Sequence, residues 1–585
     1  MSKKAFKIIR TRDGVLLTEK TSSGDKVTRV ADPIKVRSIG TRLADNVILV
    51  EIRFKTIDGD YRSETFPFSC LHRERWDKIK VRVADQGYKW PEDQKWSNEI
   101  LRQLAAKQPK TRFLLVSTPG WHGSEFVLPD QVFSPPGSKT DYRIDPDSHA
   151  HIGAFMCGEG SLKGWQQTVA RLAKKSSCLR VAIGAAFAAP LLRPMNMDSF
   201  AINWFSTTSD GKTAMLFIAA SVAGLISRRG LPGWADSDPG IEDQALGHRD
   251  CILPLDETGD TGKIPLKDKA KMLAFTIARN RPRTLSKKHE CANRLQDREW
   301  RIIAQASSEQ ALTQVAIDAG GRRLGGEEVR LIDVHASEPG SLGIFNGAIR
   351  TQAGKTDRET TKELIEQMKV DAKAHQGFAL REFLRKYLDD ARALSKVKAY
   401  KEQFESQVSV PPSNAALRIR SNFALILAAA AMAIDYEAWK KRPTFKAVEK
   451  CLRRALAVIE TCKASGPPVD AATSILGALS EQLEKADLPK VVLRKQITSR
   501  QARCRVNADG FRINGDIYLK PDRLRLWVPN HRDRIVLKES GVLRTRRDDA
   551  ATIEQVIAGI PGKPRYYVLD ARRLAQLLGG EPSRT

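Results

Sequence analysis

The residues best placed to do chemistry lie in "FSTTSDGKTAML", positions 205–216. Gly211, Lys212 and Thr213 lead from a polar loop into an apolar run, which is how the phosphate-binding loop G-x-x-x-x-G-K-[ST] ends. Ser206 stands where that pattern opens with glycine. In such a loop successive backbone N–H groups and a helix N-terminus surround the phosphates of a nucleotide. The lysine adds a point charge and the hydroxyl holds Mg²⁺. Ser206, Thr207, Thr208, Ser209, Asp210 and Gly211 would form the loop, with Lys212 as the charge and Thr213 as the metal-binding hydroxyl. The opening glycine chiefly permits the turn out of a strand, so a serine there strains the pattern without removing a ligand.

Three further groups could complete such a site. "CILPLDE" gives an apolar strand ending in Asp256 and Glu257, where Asp256 would orient Mg²⁺ and Glu257 would polarise an attacking water. A solvated turn is the simpler use of such a pair, but the spacing of about forty residues after Lys212 favours the chemical one. "WRIIAQASSE" ends a second apolar strand in Ser307 and Ser308, either of which could sense a γ-phosphate. Beyond it Arg322, Arg323 and Arg330 could offer a guanidinium to the nucleotide of a neighbouring subunit, or pair with Glu327 and Glu328 on the surface. Arg418, in "ALRIRSNFALILAAA", opens an apolar helix.

These residues need a scaffold that alternates strand and helix. "SFAINWF" is a strand before the loop and "AMLFIAASVAGLI" a helix after it, the context a phosphate loop requires. "PGIEDQALGH", "DCILPLDE", "LKDKAKMLAFTIAR" and "REWRIIAQASSE" then alternate helix and strand, which predicts a parallel sheet covered on both faces. Residues 1–27 read as a flexible basic lead-in. Residues 28–135 read as an N-terminal α/β accessory domain, 150–350 as the α/β P-loop core and 357–485 as a helical region. Residues 491–585 hold 20 Lys+Arg against 10 Asp+Glu, a net charge of +10, in an order of helix, turn, helix and β-wing that predicts a winged helix able to contact duplex DNA or a protein.

A chain of 585 residues is too long for one core, and a formal charge of +28 favours a polyanionic partner, nucleic acid first. The eight cysteines are scattered, which excludes a zinc ribbon or a disulfide framework and fits a reducing cytoplasm. The opening "MSKKAFKIIRTRDG" has charge but no apolar core, so no secretory signal is expected there. Between 280 and 299, Arg281, Arg283, Lys287, Lys288 and Arg294 form a basic interval. It reads either as a solvated turn or as a loop gripping nucleic-acid phosphates independently of sequence.

Taken in order, "DPIKV", "GWHGSEFVLPD", "GSLKGWQQTVARL", "STTSDGKT", "GIEDQALGHRDCILPLDE", "WRIIAQASSE", "EEVRLIDV", "GSLGIF" and "RIRSNFALILAAA" resemble the DUF927 family of Cch-like predicted helicases of mobile genetic elements. The loop of that family more often opens with glycine than with the serine at 206. The resemblance implies an AAA+ core related to MCM-like helicases, a homo-oligomeric ring of six subunits that hydrolyses ATP with Mg²⁺ and moves along single-stranded or forked DNA. It also implies that Arg418 becomes a lid-helix arginine near the γ-phosphate and that the basic interval at 281–294 is a pore hairpin. A primase or polymerase of the same element is the expected partner. Two other readings fit the same residues: an ATP-binding replication initiator or DNA-remodelling switch with slow turnover, and a non-catalytic DNA-binding assembly protein.

Overall fold

The computed structural model describes residues 6–578 except 22–23, 147, 149–157, 207–210, 227–230, 235–236, 257–263, 284–297, 320–322, 324, 338–340, 347–348, 350–353, 441–444, 465–470, 492–506, 530, 545–551, 557–559 and 561–563. The chain divides into two compact units, residues 1–315 with 323–459, and residues 316–322 with 460–585. The accessory, core and most of the helical segments expected separately therefore form one body.

That body begins with a three-stranded antiparallel sheet, β1 (Phe6–Arg10), β2 (Val15–Thr21) and β3 (Gly24–Ala31). Here the expectation of a flexible lead-in over 1–27 is corrected. Ile8, Val15 and Ala31 turn inward to the accessory core while nearly every other position of β3 faces water. With one face buried the strands read as a charge run, and the alternation is hard to see in the sequence. A five-stranded sheet follows, of β4 (Ile34–Arg42), β5 (Val47–Lys55), β6 (Tyr61–Pro67), β7 (Arg112–Val116) and, after a small sheet of β8 (Gly120–His122), β9 (Glu125–Val127) and β10 (Val132–Phe133), β11 (Tyr142–Ile144). Its order is β11-β7-β4-β5-β6. Helices α1 (Trp76–Asp85) and α2 (Gln94–Ala105) cover one face, packing Ile79, Val83, Ile100 and Leu104 on Val50, Ile52 and Phe54.

The second part of the body is a four-stranded parallel sheet. Helices α3 (Leu162–Gln167), α4 (Val169–Ala173) and α5 (Ser177–Ala188) precede its strand β12 (Phe200–Phe205), which is followed by α6 (Lys212–Ala223), α7 (Asp238–Gly247), β13 (Ile252–Leu255), α8 (Leu266–Arg279), β14 (Ile303–Ser308), α9 (Leu312–Asp318), α10 (Gly325–Arg330) and β15 (Leu331–His335). The order is β13-β14-β12-β15, every pair parallel. Because helices cover both faces, the strands are apolar nearly throughout, as buried parallel strands must be. Phe200, Ile202 and Trp204 of β12 pack with α5 and α6, whereas Ala201 meets α7 and α8 through Ile241, Ala245, Leu273 and Ile277. The expected mixed α/β fold with a parallel sheet between helices is what the chain forms.

Helices α11 (Asp357–Ala374), α12 (Phe378–Asp389), α13 (Ala393–Gln407), α14 (Asn414–Asp435) and α15 (Phe445–Ala464), the last as far as Ile459, complete the first body. Thr356 and Glu359 close a capping box at the start of α11. α14 is long and apolar enough to cross a bilayer, but 61% of its most apolar window is buried among α5 and its neighbours, as in a core helix. The accessory part is tied to the segment before β13 and to α12 by polar contacts. The Trp121 N–H donates to the Asp250 carboxylate at 2.9 Å, Arg249 Nη1 donates to Thr118 Oγ1 at 2.9 Å, and Arg381 pairs with Asp130 at 2.7 Å. Gly120 has φ +97 and a Cβ there would lie 2.6 Å from Asp250 Oδ2, so only glycine lets this turn approach.

The second unit holds α16 (Ala471–Lys485), then β16 (Gly510–Ile513), β17 (Asp516–Leu519), α17 (Pro521–Trp527), α18 (His531–Glu539), β18 (Leu543–Arg544), β19 (Thr552–Glu554), β20 (Arg565–Asp570) and α19 (Ala571–Leu577). The expected helical region over 357–485 is corrected at its end. Leu476, Leu479 and Leu483 form one stripe of α16 and bury against Ile517, Leu519, Leu524 and Leu569, so α16 belongs to the C-terminal core.

Candidate active site

The C-terminal ends of β12, β14 and β13 lie side by side, and this edge gathers the residues singled out by type and spacing. The register sets Phe205 against Ser308 and Leu255 against Ala306, so Asp256 comes level with Ser307. Thr213 Oγ1, in the first turn of α6, donates to Asp256 Oδ1 at 3.1 Å, and Ser307 Oγ donates to the same oxygen at 3.0 Å. Lys212 Nζ donates to the Ser206 carbonyl at 2.7 Å, and the Ser206 N–H donates to the Ser308 carbonyl at 3.3 Å. Gly211 caps α6 at φ +93, and a Cβ there would lie 2.7 Å from Ile365 Cδ1 of α11. The loop's last glycine is thus required by its left-handed backbone and by the helix packed against it. Thr207, Thr208, Ser209, Asp210 and Glu257 lie outside the described residues.

A buried polar network that the sequence reading missed extends from this edge. Asn203, in the middle of β12, donates through Nδ2 to Ser308 Oγ at 2.8 Å and to Asp333 Oδ1 at 2.7 Å. Asp333, in β15, also accepts from the Thr313 N–H and hydroxyl at 2.9 and 2.8 Å and from Arg323 Nη1 at 3.0 Å. Arg323 also donates to the carbonyls of Glu327 and Leu331. The signal was present in the sequence: one amide inside "FAINWF" and one carboxylate inside "LIDVH", each among apolar neighbours, where a polar group must find partners.

The other arginines are placed differently. The Arg330 guanidinium lies 5.0 Å from the ring centre of half-exposed Phe275 and donates to the Gly326 carbonyl at 2.8 Å. Arg418 is exposed in the second turn of α14, and Arg281 and Arg283 are exposed after α8, where the Arg283 N–H donates to Glu242. Arg322, Lys287, Lys288 and Arg294 fall outside the described residues. Among the described residues no cluster of three or more His, Cys, Asp or Glu side chains is placed to hold a metal ion. One carboxylate and one hydroxyl is instead the donor set of a Mg²⁺ that arrives with phosphate oxygens, and Asp256 with Thr213 fits it.

Trp121 and His122, whose rings could have been offered to a base, are buried. Trp121 Nε1 donates to the Pro190 carbonyl at 2.7 Å, and His122 Nε2 meets the Thr118 carbonyl at 2.8 Å. Burial, with Arg249 close by, pushes the His122 imidazole down to about 3.

A family model described as a domain of unknown function, DUF927, matches residues 8–297. Those residues belong to the DUF927 family. The match spans the accessory part and the parallel sheet through Asp256, and stops before β14. No curated protein matches the chain. The solved structure titled "SCCmec type IV Cch - active helicase" is similar in fold, with a TM-score of 0.59 at 15% identity, over 99% of this chain and 100% of that one. Outside the DUF927 region the likeness therefore continues through β14, β15, the helical segment and the C-terminal unit.

Proposed function

We propose that this DUF927 protein is an ATP-dependent DNA helicase or translocase of a mobile genetic element, working as an AAA+ ring. The observation that carries the reading is the meeting of Thr213, Asp256 and Ser307 on one carboxylate oxygen at the edge of the parallel sheet, beside Lys212 and the loop it closes. The fold shared with a protein titled as an active helicase supports the same reading.

In this mechanism the N–H groups at the start of α6 bind the phosphates, and the Lys212 ammonium exchanges the Ser206 carbonyl for phosphate oxygens. Thr213 and Asp256 would hold Mg²⁺, which when bound neutralises charge on the phosphate oxygens. Glu257 orients and polarises the attacking water, and Ser307 and Ser308 report the presence of the γ-phosphate. Arg330 is the arginine best suited to act on a neighbouring subunit, because Arg323 is committed to Asp333 inside its own chain. A finger supplied from a neighbour needs subunits in head-to-tail contact, and the ring of this reading, a hexamer, supplies it. The basic interval containing Arg281, Arg283, Lys287, Lys288 and Arg294 grips one DNA strand through its phosphates. The C-terminal unit, a winged helix in this reading, contacts duplex DNA.

The deciding experiment is steady-state ATP hydrolysis with and without single-stranded and forked DNA, beside Lys212→Ala and Glu257→Gln. Hydrolysis stimulated by DNA and abolished in both variants is expected. Nucleotide binding with no hydrolysis under any DNA condition would sink the motor reading and leave a switch.

A further inference from the structure

The five-stranded sheet of the accessory part has a second face that α1 and α2 do not cover. Val50, Ile52 and Phe54 of β5 point to the helices, so Glu51, Arg53 and Lys55 point to the other side. The register places Lys35 directly opposite Arg53, Arg53 opposite Ser63, Lys55 opposite Tyr61 and Glu51 opposite Thr65. One continuous face thus carries Lys35, Arg53 and Lys55 with two exposed hydroxyls, Ser63 and Thr65, and a Tyr61 ring that is 48% exposed. The Arg53 guanidinium lies over the Tyr61 ring at 4.8 Å.

Charges on this face do not cancel. Glu51 is buried and already bonded to Ser38 and paired with Arg37 and Arg143, and Asp58 and Asp60 lie in the turn joining β5 to β6, which the Lys55 side chain approaches at Gly59 without an ion pair to either. Among the described residues no ion pair joins Lys35, Arg53 or Lys55 to a carboxylate. Two cations facing each other across neighbouring strands destabilise a sheet, and the apolar packing on this face is a small cluster of Leu49, Phe113 and Leu115 that includes neither of them. An anion spanning the strands would turn that repulsion into binding. Phosphates several ångströms apart match a row of cations, and an exposed ring with a guanidinium plane beside it is a platform on which an unpaired base stacks. A duplex keeps its bases inside and offers nothing to Tyr61.

We propose that this face of β4, β5 and β6 binds single-stranded nucleic acid, with Lys35, Arg53 and Lys55 on the phosphates and Tyr61 under a base. This site shares no residue with the nucleotide edge or with the basic interval after α8. It rests on the proposed function only in taking DNA as the strand, and binding at it needs no ATP. The test is fluorescence anisotropy of the full chain, without nucleotide, against labelled oligo-dT, oligo-rU and a duplex of equal length over a series of salt concentrations. The triple variant Lys35→Ala/Arg53→Ala/Lys55→Ala should lose tenfold or more in single-strand affinity, and its salt slope should fall by about 2, at roughly 0.7 per phosphate released. Tyr61→Ala should weaken single-strand binding about fivefold or more with the salt slope unchanged. The triple variant should melt no lower than wild type, because the like-charge pair is gone.

Wild-type affinity and slope in the triple variant would overturn this site alone. A wild-type protein that binds no single strand would overturn both it and the motor reading. Tighter binding of oligo-rU than oligo-dT, lost in the triple variant, would keep the site and change its strand to RNA. A loss confined to duplex would overturn it.

Discussion

Replacing Arg323 with methionine asks whether that guanidinium belongs to its own chain. The Arg323 and Asp333 side chains are 5% and 2% exposed and 3.0 Å apart, and Asp333 is further held by Asn203 and Thr313. Methionine keeps much of the side-chain volume and leaves a buried carboxylate without its cation, at a cost of about 3–5 kcal/mol. For a body that takes in residues 1–315 and 323–459, at about 2 cal/mol/K of unfolding entropy per residue, each kcal/mol shifts the midpoint by about 1 °C, so the expected fall is about 3–5 °C in melting temperature. Adding Asp333→Asn removes the stranded charge and leaves an amide oxygen for Thr313, so the double variant should recover more than half of the loss. Thermal unfolding followed by calorimetry, beside ATP hydrolysis below the transition, measures both effects. An Arg323→Met protein that melts as wild type does but no longer hydrolyses ATP would refute the argument and return Arg323 to the neighbouring subunit.

If Arg330 serves the next subunit, Lys212→Ala and Arg330→Ala chains are each inactive alone, yet mixing them should restore part of the ATPase, because some interfaces then pair an intact loop with an intact arginine. Gly211→Ala meets both a left-handed backbone costing about 1–2 kcal/mol and the Ile365 side chain. ATP affinity measured by titration calorimetry should drop about tenfold, and Ile365→Val should restore only the packing share. His122 is held neutral in the fold, with its proton affinity lowered to about 3 by burial and by Arg249, while the unfolded chain takes a proton near 6.5. Stability should therefore fall as pH drops below that value, by about 2 kcal/mol between pH 7 and pH 5. His122→Gln should flatten that slope in urea titrations at the two pH values, and an unchanged slope would discard the reasoning.

Much of the site could be read before any coordinates, because its residues sit at the ends of apolar strands, where side chains leave a sheet and meet ligands. "SFAINWF", "CILPLDE" and "WRIIAQASSE" are unbroken apolar runs, and only strands buried on both faces carry them. The Gly-Lys-Thr sequence that opens an apolar helix is equally local. Chain order, however, says nothing about which strand lies next to which. Placing β14 between β12 and β13 brings Ser307 and Thr213 onto the same oxygen of Asp256.

The three arginines were equivalent by sequence, since all follow the same strand and precede the next. Burial separated two of them: Arg323 turns inward because β15 presents Asp333 beside Asn203, and Arg330 lies half-exposed on Phe275. Strands β1 to β3 and the basic face of β4 to β6 escaped for the opposite reason, since a sheet solvated on one side mixes charge with every second apolar residue. The sequence by itself determined the chemistry on offer and the elements that carry it, because hydrophobic periodicity and loop composition are local. Only the tertiary structure decided which charges are spent inside the fold and which face a ligand, because burial and cross-strand neighbours are set by residues far apart in the chain.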